Sequence, residues 1–367
     1  MSHKLTARII GAITEPLWQR DRLEMRAVGA LSSAIRPIRQ RRSRHSAARI
    51  KRGDDEDFTM IRPKKWAGFR SVLCPIDFSE HSQRALQYAV VIALRGKAVL
   101  KVVYVNDPLL IAAAAAALND RQLAKRSAHE LRKFVDATVA ANSRKQLHLT
   151  ARVSIGNPSD QILKAANGSA TDLIVLGTHG LTGADRLFMG STTLSVLERT
   201  TVPVLAIPHG RENPAAPVSP SWPGARILAA IELDGGLACQ VESAARIARW
   251  FGSSLLLAHV LTEVAAPRWL SADLTAHKRI RIAQAQRQMD HLAAVAQRYV
   301  KTDVHVACGN IADEITALAA SERTELLLTT LHDRRRWFGA KRGSISYHVL
   351  SHAVTPVLAY PPQWRPR

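Results

Sequence analysis

The stretch Gly177 to Ser191, GTHGLTGADRLFMGS, has the residue types and spacing to hold an anion through its backbone. Gly177 closes the run DLIVL (Asp172 to Leu176), and the carboxyl end of such a strand is where a parallel sheet opens its ligand crevice. Gly180 and Gly183 permit positive φ and let backbone N–H groups approach a ligand that a Cβ would obstruct. Gly190, Ser191 and Thr192 then open the next helix, where unbonded N–H groups, hydroxyls and the positive end of the helix dipole converge. Together these make a phosphate cradle. It is not a Walker A loop, since no Gly-Lys-Ser/Thr follows, and no GxGxxG dinucleotide loop follows the first strand.

Other chemistry-bearing residues are sparse. Asp77 ends the first apolar run, SVLCPID, where a carboxylate either meets a ligand or caps the helix that follows, and the two roles are compatible. His179 sits inside the loop, facing a phosphate or solvent. Cys74 lies within the first strand and reads as a small core residue, because no partner base is recognisable near it. Three cysteines, Cys74, Cys239 and Cys308, are too few and too scattered for a disulfide framework or a zinc cage, so a reduced, cytoplasmic setting is expected. No general base with a positioned partner, metal cluster or nucleophile constellation stands out, and a dedicated catalyst is not expected.

The elements that must position these residues follow from periodicity. Ser71 to Asp77 reads as a strand and Ser82 to Leu94 as a helix, with Ala85, Leu86, Ala89, Val90 and Ala93 at helical spacing. Val99 to Val105 is a second strand, Asp120 to Asn142 a long amphipathic helix, and Leu147 to Ile155 a third strand. Asp160 to Asn167 is a short helix, Asp172 to Leu176 a fourth strand, Thr192 to Arg199 a helix and Val202 to Ile207 a closing strand. After a linker rich in proline and glycine, residues 210–224, the pattern repeats with strands at Arg226 to Ile231, Ser254 to Val260, Asp303 to Cys308, Leu326 to Thr329 and Val357 to Tyr360. Late in the repeat the register is constant at 153 residues: Gly156-Asn157 falls on Gly309-Asn310, Gly190-Ser191 on Gly343-Ser344, and Pro203 on Pro356. The fold class is α/β: two tandem Rossmann-like domains, residues 68–209 and 225–361, each a five-stranded parallel sheet with helices on both faces. Residues 362–367 form a tail.

Gly177, two residues, Gly180, nine residues, Gly190 and Ser191 make a G-x2-G-x9-G-S/T pattern that resembles the signature of the ATP-binding branch of the universal stress protein family. CPIDFSEHS looks like that family's opening motif and TTVPVLAIP like its last strand. The resemblance implies an adenine nucleotide alpha hydrolase-like fold and ATP, with Mg2+, as the ligand. It also implies that Pro75 and Asp77 lie beside the nucleoside, that Val105 meets the adenine through its backbone, and that Gly177, Gly180, Gly190, Ser191 and Thr192 hold ribose and phosphates. A nucleotide-dependent regulator of stress response is then expected, with slow ATP hydrolysis at most. An ATP-using ligase or transferase is disfavoured, because PIDFSEHS lacks an SGGxDS-like pyrophosphate loop. Single-domain members pair through the last strand, so the two halves are expected to pair within the chain, Val202 to Ile207 beside Val357 to Tyr360, and a homodimer of the tandem protein is a further expectation.

The second half departs from the pattern. Thr330 stands for Gly177, Asp333 for Gly180 and Glu232 for Asp77, while Gly343 and Ser344 are kept. A carboxylate at Asp333 repels phosphate, although Arg334, Arg335 and Arg336 follow it, and weak or no ATP binding is expected there.

Charge adds an alternative. The 367 residues carry a net charge of +21, and residues 1–53 hold 13 Lys+Arg against the three acids Glu15, Asp21 and Glu24, a net of +10. The run closes at Asp54, Asp55, Glu56 and Asp57. With little to bury, residues 1–67 read as a poorly ordered basic extension. It is either an arm docking to nucleic acid or an anionic membrane, with the protein as a scaffold and its nucleotide site vestigial, or a targeting peptide, or a segment upstream of a true start at Met25 or Met60. The longest nearly uncharged apolar run, Pro108 to Leu118, is too short to cross a bilayer.

Overall fold

The computed structural model describes residues 66–118, 123–168, 170–178, 189–208, 216–233, 237–263, 275–331, 349–350 and 352–366. The basic extension, Gly180, Gly183 and His179 of the loop, and Asp333, Arg334 to Arg336, Gly343 and Ser344 of the second half lie outside these residues.

The first half runs β1 (Ser71–Ile76), α1 (Glu80–Gly96), β2 (Val99–Asn106), α2 (Pro108–Leu118), α3 (Leu123–Thr138), α4 (Ala141–Gln146), β3 (His148–Ile155), α5 (Pro158–Gly168), β4 (Leu173–Gly177), α6 (Ser191–Arg199) and β5 (Val204–Ile207). The second runs β6 (Arg226–Ala230), α7 (Leu237–Phe251), β7 (Ser254–Leu261), α8 (Thr275–Gln297), β8 (Thr302–Cys308), α9 (Ile311–Ser321), β9 (Leu327–Thr330) and β10 (Val357–Tyr360). The strands form one ten-stranded sheet in the order β3-β2-β1-β4-β5-β10-β9-β6-β7-β8. Within each half the pairs are parallel, and β5 meets β10 antiparallel with Leu205 opposite Leu358. Leu173 to Val175 are fully buried, as expected for a central strand covered on both faces.

Two readings of the sequence change. The stretch Asp120 to Asn142 is not one helix. Buried Val139 follows the last residue of α3, Ala140 (φ −55°, ψ 141°) leaves the helical conformation, and α4 has no buried residue, so the core-facing stripe of α3 does not continue beyond Val139. The alanine-rich run Pro108 to Leu118, which has no polar face to mark it, is helix α2, with Leu109 and Leu110 exposed.

The halves are tied at more than the central strand pair. Trp222, in the linker, is buried, donates from Nε1 to Glu325 O at 3.1 Å, and packs edge-on to Tyr88 and Phe251 at 5.0 and 5.5 Å. Trp66 and Trp364, near the ends of the described chain, join Phe69 and Trp250 in one aromatic cluster. Gly68 makes room for it: its φ is +89°, and a Cβ there would lie 1.9 Å from Trp250 Nε1.

Candidate functional site

The site begins where two strands part. β1 keeps its ladder with β2 through Ile76 and Tyr104, but its pairing with β4 stops at Leu73 and Ile174. Beyond that point the chain leaves β1 and β4 in opposite directions, which is the switch point where open α/β sheets accept ligands. Pro75 lies in the parted segment, where its missing N–H deprives no partner on β4. The second half parts in the same way after Ala229 and Leu328 without a proline, so topology opens the crevice and Pro75 only accommodates it.

At the end of β1, Asp77 Oδ1 accepts hydrogen bonds from the backbone N–H of Ser79, at 3.0 Å, and from the Ser79 hydroxyl. Ser79 is the N-cap of α1, its side chain accepting from Ser82 N–H. The capping role weighed for Asp77 therefore belongs to Ser79, with Asp77 bracing it, and Asp77 Oδ2 makes no hydrogen bond among the described residues. Phe78 turns the chain with a φ of +65°, rare for a bulky residue, and its ring packs 4.5 Å from Tyr104 and 5.6 Å from Phe134. Burial first, and the charge of Asp77 second, push the Tyr104 phenol above its ordinary range, so the phenol stays protonated beside the carboxylate.

The end of β2 supplies Val105, half-buried and opposite Ser154 of β3, and then Asn106, fully buried. Asn106 Oδ1 accepts from Ser127 Oγ of α3 at 3.0 Å, and its backbone carbonyl accepts from Gly156 N–H at 3.0 Å, but its Nδ2 has no partner. A buried amide donor without an acceptor is costly, so a polar group at this strand end is the marked feature here.

The end of β4 is tied to α6 by two contacts. Gly190 N–H donates to Thr178 O at 2.7 Å, and Thr193 Oγ1 donates to Gly177 O at 2.8 Å. Among the described residues no side chain caps α6 at Gly190, Ser191 is exposed and Thr192 half-buried, so the first-turn N–H groups are left for another acceptor. Gly177 has a different constraint from the one its loop position suggests: a Cβ there would lie 3.0 Å from His81 Cβ and 3.2 Å from the His81 carbonyl, within the first turn of α1. Pro75, Asp77, Val105 and Gly177 thus lie at the carboxyl ends of neighbouring strands, and Gly190, Ser191 and Thr192 at the start of the helix tied to β4; Gly180 lies outside the described residues.

In the second half, Glu232, His259 and Arg281 line a cleft of about 400 Å³ at the ends of β6 and β7. His259 occupies the place of Tyr104, one residue past Ala258, the last residue of β7 paired with β6. Its Nδ1 lies 2.8 Å from Ile231 O; a carbonyl only accepts, so the proton is on Nδ1. Burial, ahead of the opposing influence of Ile231 O and Glu232, holds the imidazole below its ordinary pKa. Thr330, at the end of β9 where Gly177 ends β4, is buried. Sequence reading passed over Tyr104, Asn106 and His259; a polar residue at the end of an apolar strand was the available signal.

The sequence model of the universal stress protein family matches this chain twice, over residues 68–208 and 225–361. A universal stress protein of Mycolicibacterium smegmatis is 24% identical over 301 residues, covering 80% of this chain and 97% of that one. A universal stress protein of Thermus aquaticus is 31% identical over 142 residues, 38% of this chain and 98% of its own. Among solved structures, a universal stress protein from Archaeoglobus fulgidus superposes with a TM-score of 0.54 at 20% identity, covering 81% of this chain and 97% of that chain.

Proposed function

The chain belongs to the universal stress protein family, and from that premise we propose that its first half binds an adenine nucleotide, ATP with Mg2+, and that occupancy regulates the protein in stress response. The observation that carries this reading is the uncapped N-terminus of α6, clamped to the end of β4 by Gly190 N–H to Thr178 O and facing the parted ends of β1 and β4. A helix start with unbonded N–H groups and a glycine in place of a side chain suits phosphate oxygens.

In this reading Ser191 and Thr192 bind phosphate through backbone N–H and hydroxyl, and Gly177, Gly180 and Gly190 leave the close approach open. Asp77 accepts from ribose through its Oδ2. Pro75 and the backbone of Val105 flank the base. Mg2+ enters with the triphosphate, whose charge it partly neutralises. The second half, with Thr330 and Asp333 at the cradle positions, stays empty of ATP.

Calorimetric titration of ATP into the intact protein tests this, beside the variants Gly190→Val and Gly343→Val. One site is expected, lost in the first variant and kept in the second. Absence of binding by the intact protein overturns the proposal.

A further inference from the structure

The sheet of the first half carries a second concavity, away from the strand ends. It is a groove of about 690 Å³ along β2 and β3, walled by α5. Its origin is topological. β3 is an edge strand, and α5 leaves it to reach β4 by packing over β1 and β2, burying Ile162, Leu163 and Ala166 there. Among the described residues no element covers the outer face of β3 beyond this helix, and Thr150 and Arg152 are exposed on it.

The lining is apolar below and cationic above. Leu73, Val99 and Val103 of the sheet and Ala165 of α5 contribute the apolar surface, while Arg152 from β3 and Lys164 from α5 contribute charge. Among the described residues neither Arg152 nor Lys164 makes a hydrogen bond or an ion pair, and no carboxylate lines the groove. Lys101 also lines it but is engaged, donating to Ser71 Oγ at 2.7 Å under the influence of Asp172.

The second half differs on this face: in the 153-residue register His305 and Ala317 stand where Arg152 and Lys164 do. Arg226 starts β6 as Ser71 starts β1, and there it bonds Asp303 of β8 at 2.7 Å and Glu322 at the end of α9. One cation meets two acids, and the charge is settled within the fold. In the first half two cations flank an apolar floor with no acid to meet them. A volume in this range with mostly apolar walls and a few placed polar groups is typical of a small-molecule site.

We propose that this groove binds a single-chain anionic amphiphile, a fatty carboxylate, with its chain on Leu73, Val99, Val103 and Ala165 and its carboxylate held by Arg152 and Lys164. Guanidinium and ammonium groups pair strongly with carboxylate, and an apolar chain gains by leaving water. The proposal is independent of nucleotide binding, since the groove shares no residue with the loop or with α6.

The test is titration of laurate, below its micelle concentration, into the intact protein, followed by calorimetry and by displacement of a fluorescent fatty acid. One laurate site is expected, about tenfold weaker in the double variant Arg152→Gln/Lys164→Gln, which alters only exposed side chains. Dodecanol, with the same chain and no charge, is expected to bind the intact protein about as weakly as laurate binds that variant. A second variant, Ala165→Trp, fills the groove and should abolish binding with both cations present. Absence of laurate binding, equal binding by wild type and both variants, or association with anionic lipid vesicles alone overturns the proposal.

Discussion

Gly190 N–H donates to Thr178 O at 2.7 Å, and together with the bond from Thr193 Oγ1 to Gly177 O it ties the start of α6 to the end of β4. Gly190 itself has φ −57° and ψ 143°, a conformation open to every residue type, so a side chain there is not excluded by the backbone. Its smallness serves whatever approaches the helix end. Gly190→Val is therefore expected to leave the melting temperature within about 2 °C of wild type while weakening ATP binding at least about tenfold, a difference of ~1.4 kcal/mol. Differential scanning fluorimetry with and without ATP separates the two effects. Equal stabilisation of wild type and variant by ATP would contradict it.

Gly177 should behave in the opposite way. A Cβ at this position meets backbone atoms of His81 at 3.2 Å and its Cβ at 3.0 Å, and backbone within the first turn of a capped helix cannot move aside at low cost. Gly177→Ala is expected to destabilise the protein by about 1–3 kcal/mol in urea denaturation, with or without nucleotide. A neutral outcome would mean that α1 shifts freely against β4.

The fold was legible because its strands are short apolar runs bounded by helices of clear period, and DLIVL or VLKVVYV admit little else. The repeat added a second copy of the same pattern. What escaped was non-local. An alanine run such as Pro108 to Leu118 has no polar face and so gives no periodic signal, although it forms α2. Gly177 and Asp77 could be found from spacing, but the contact of Gly177 with His81 and the bracing of Ser79 by Asp77 depend on how α1 packs back onto β4. Tyr104 and Phe78 sit beside Asp77 for the same kind of reason: Phe134, distant in sequence, completes their packing.

Leu205 and Leu358 face each other across the antiparallel β5–β10 pair, and both are buried in one apolar cluster that spans the two halves. The halves should therefore unfold together. Far-ultraviolet circular dichroism and tryptophan fluorescence are expected to report one coincident urea transition for the folded region. Leu205→Ala or Leu358→Ala should each cost about 2–5 kcal/mol, and the double variant less than the sum, because the two substitutions share one cavity. Two separated transitions in the wild type would show that the central pair does not couple the halves.

Acid should find its weak point in the second half, at His259. Burial keeps this imidazole below its ordinary pKa in the folded protein, and its Nδ1–H is committed to Ile231 O. Above pH ~6.5 the ring is neutral in both folded and unfolded chains and contributes no pH dependence. As pH falls below ~6.5 the unfolded chain takes up a proton that the folded chain refuses, so folding stability declines, by at most about 1.4 kcal/mol per pH unit for this one site. The decline continues until the pH reaches the depressed folded-state value. His259→Asn keeps an amide donor at the Nδ1 position for Ile231 O and removes the titration, so its stability should fall less steeply than that of wild type between pH 7 and pH 5. Urea denaturation of both proteins across that range measures the difference directly; superimposable pH profiles would place the acid sensitivity elsewhere.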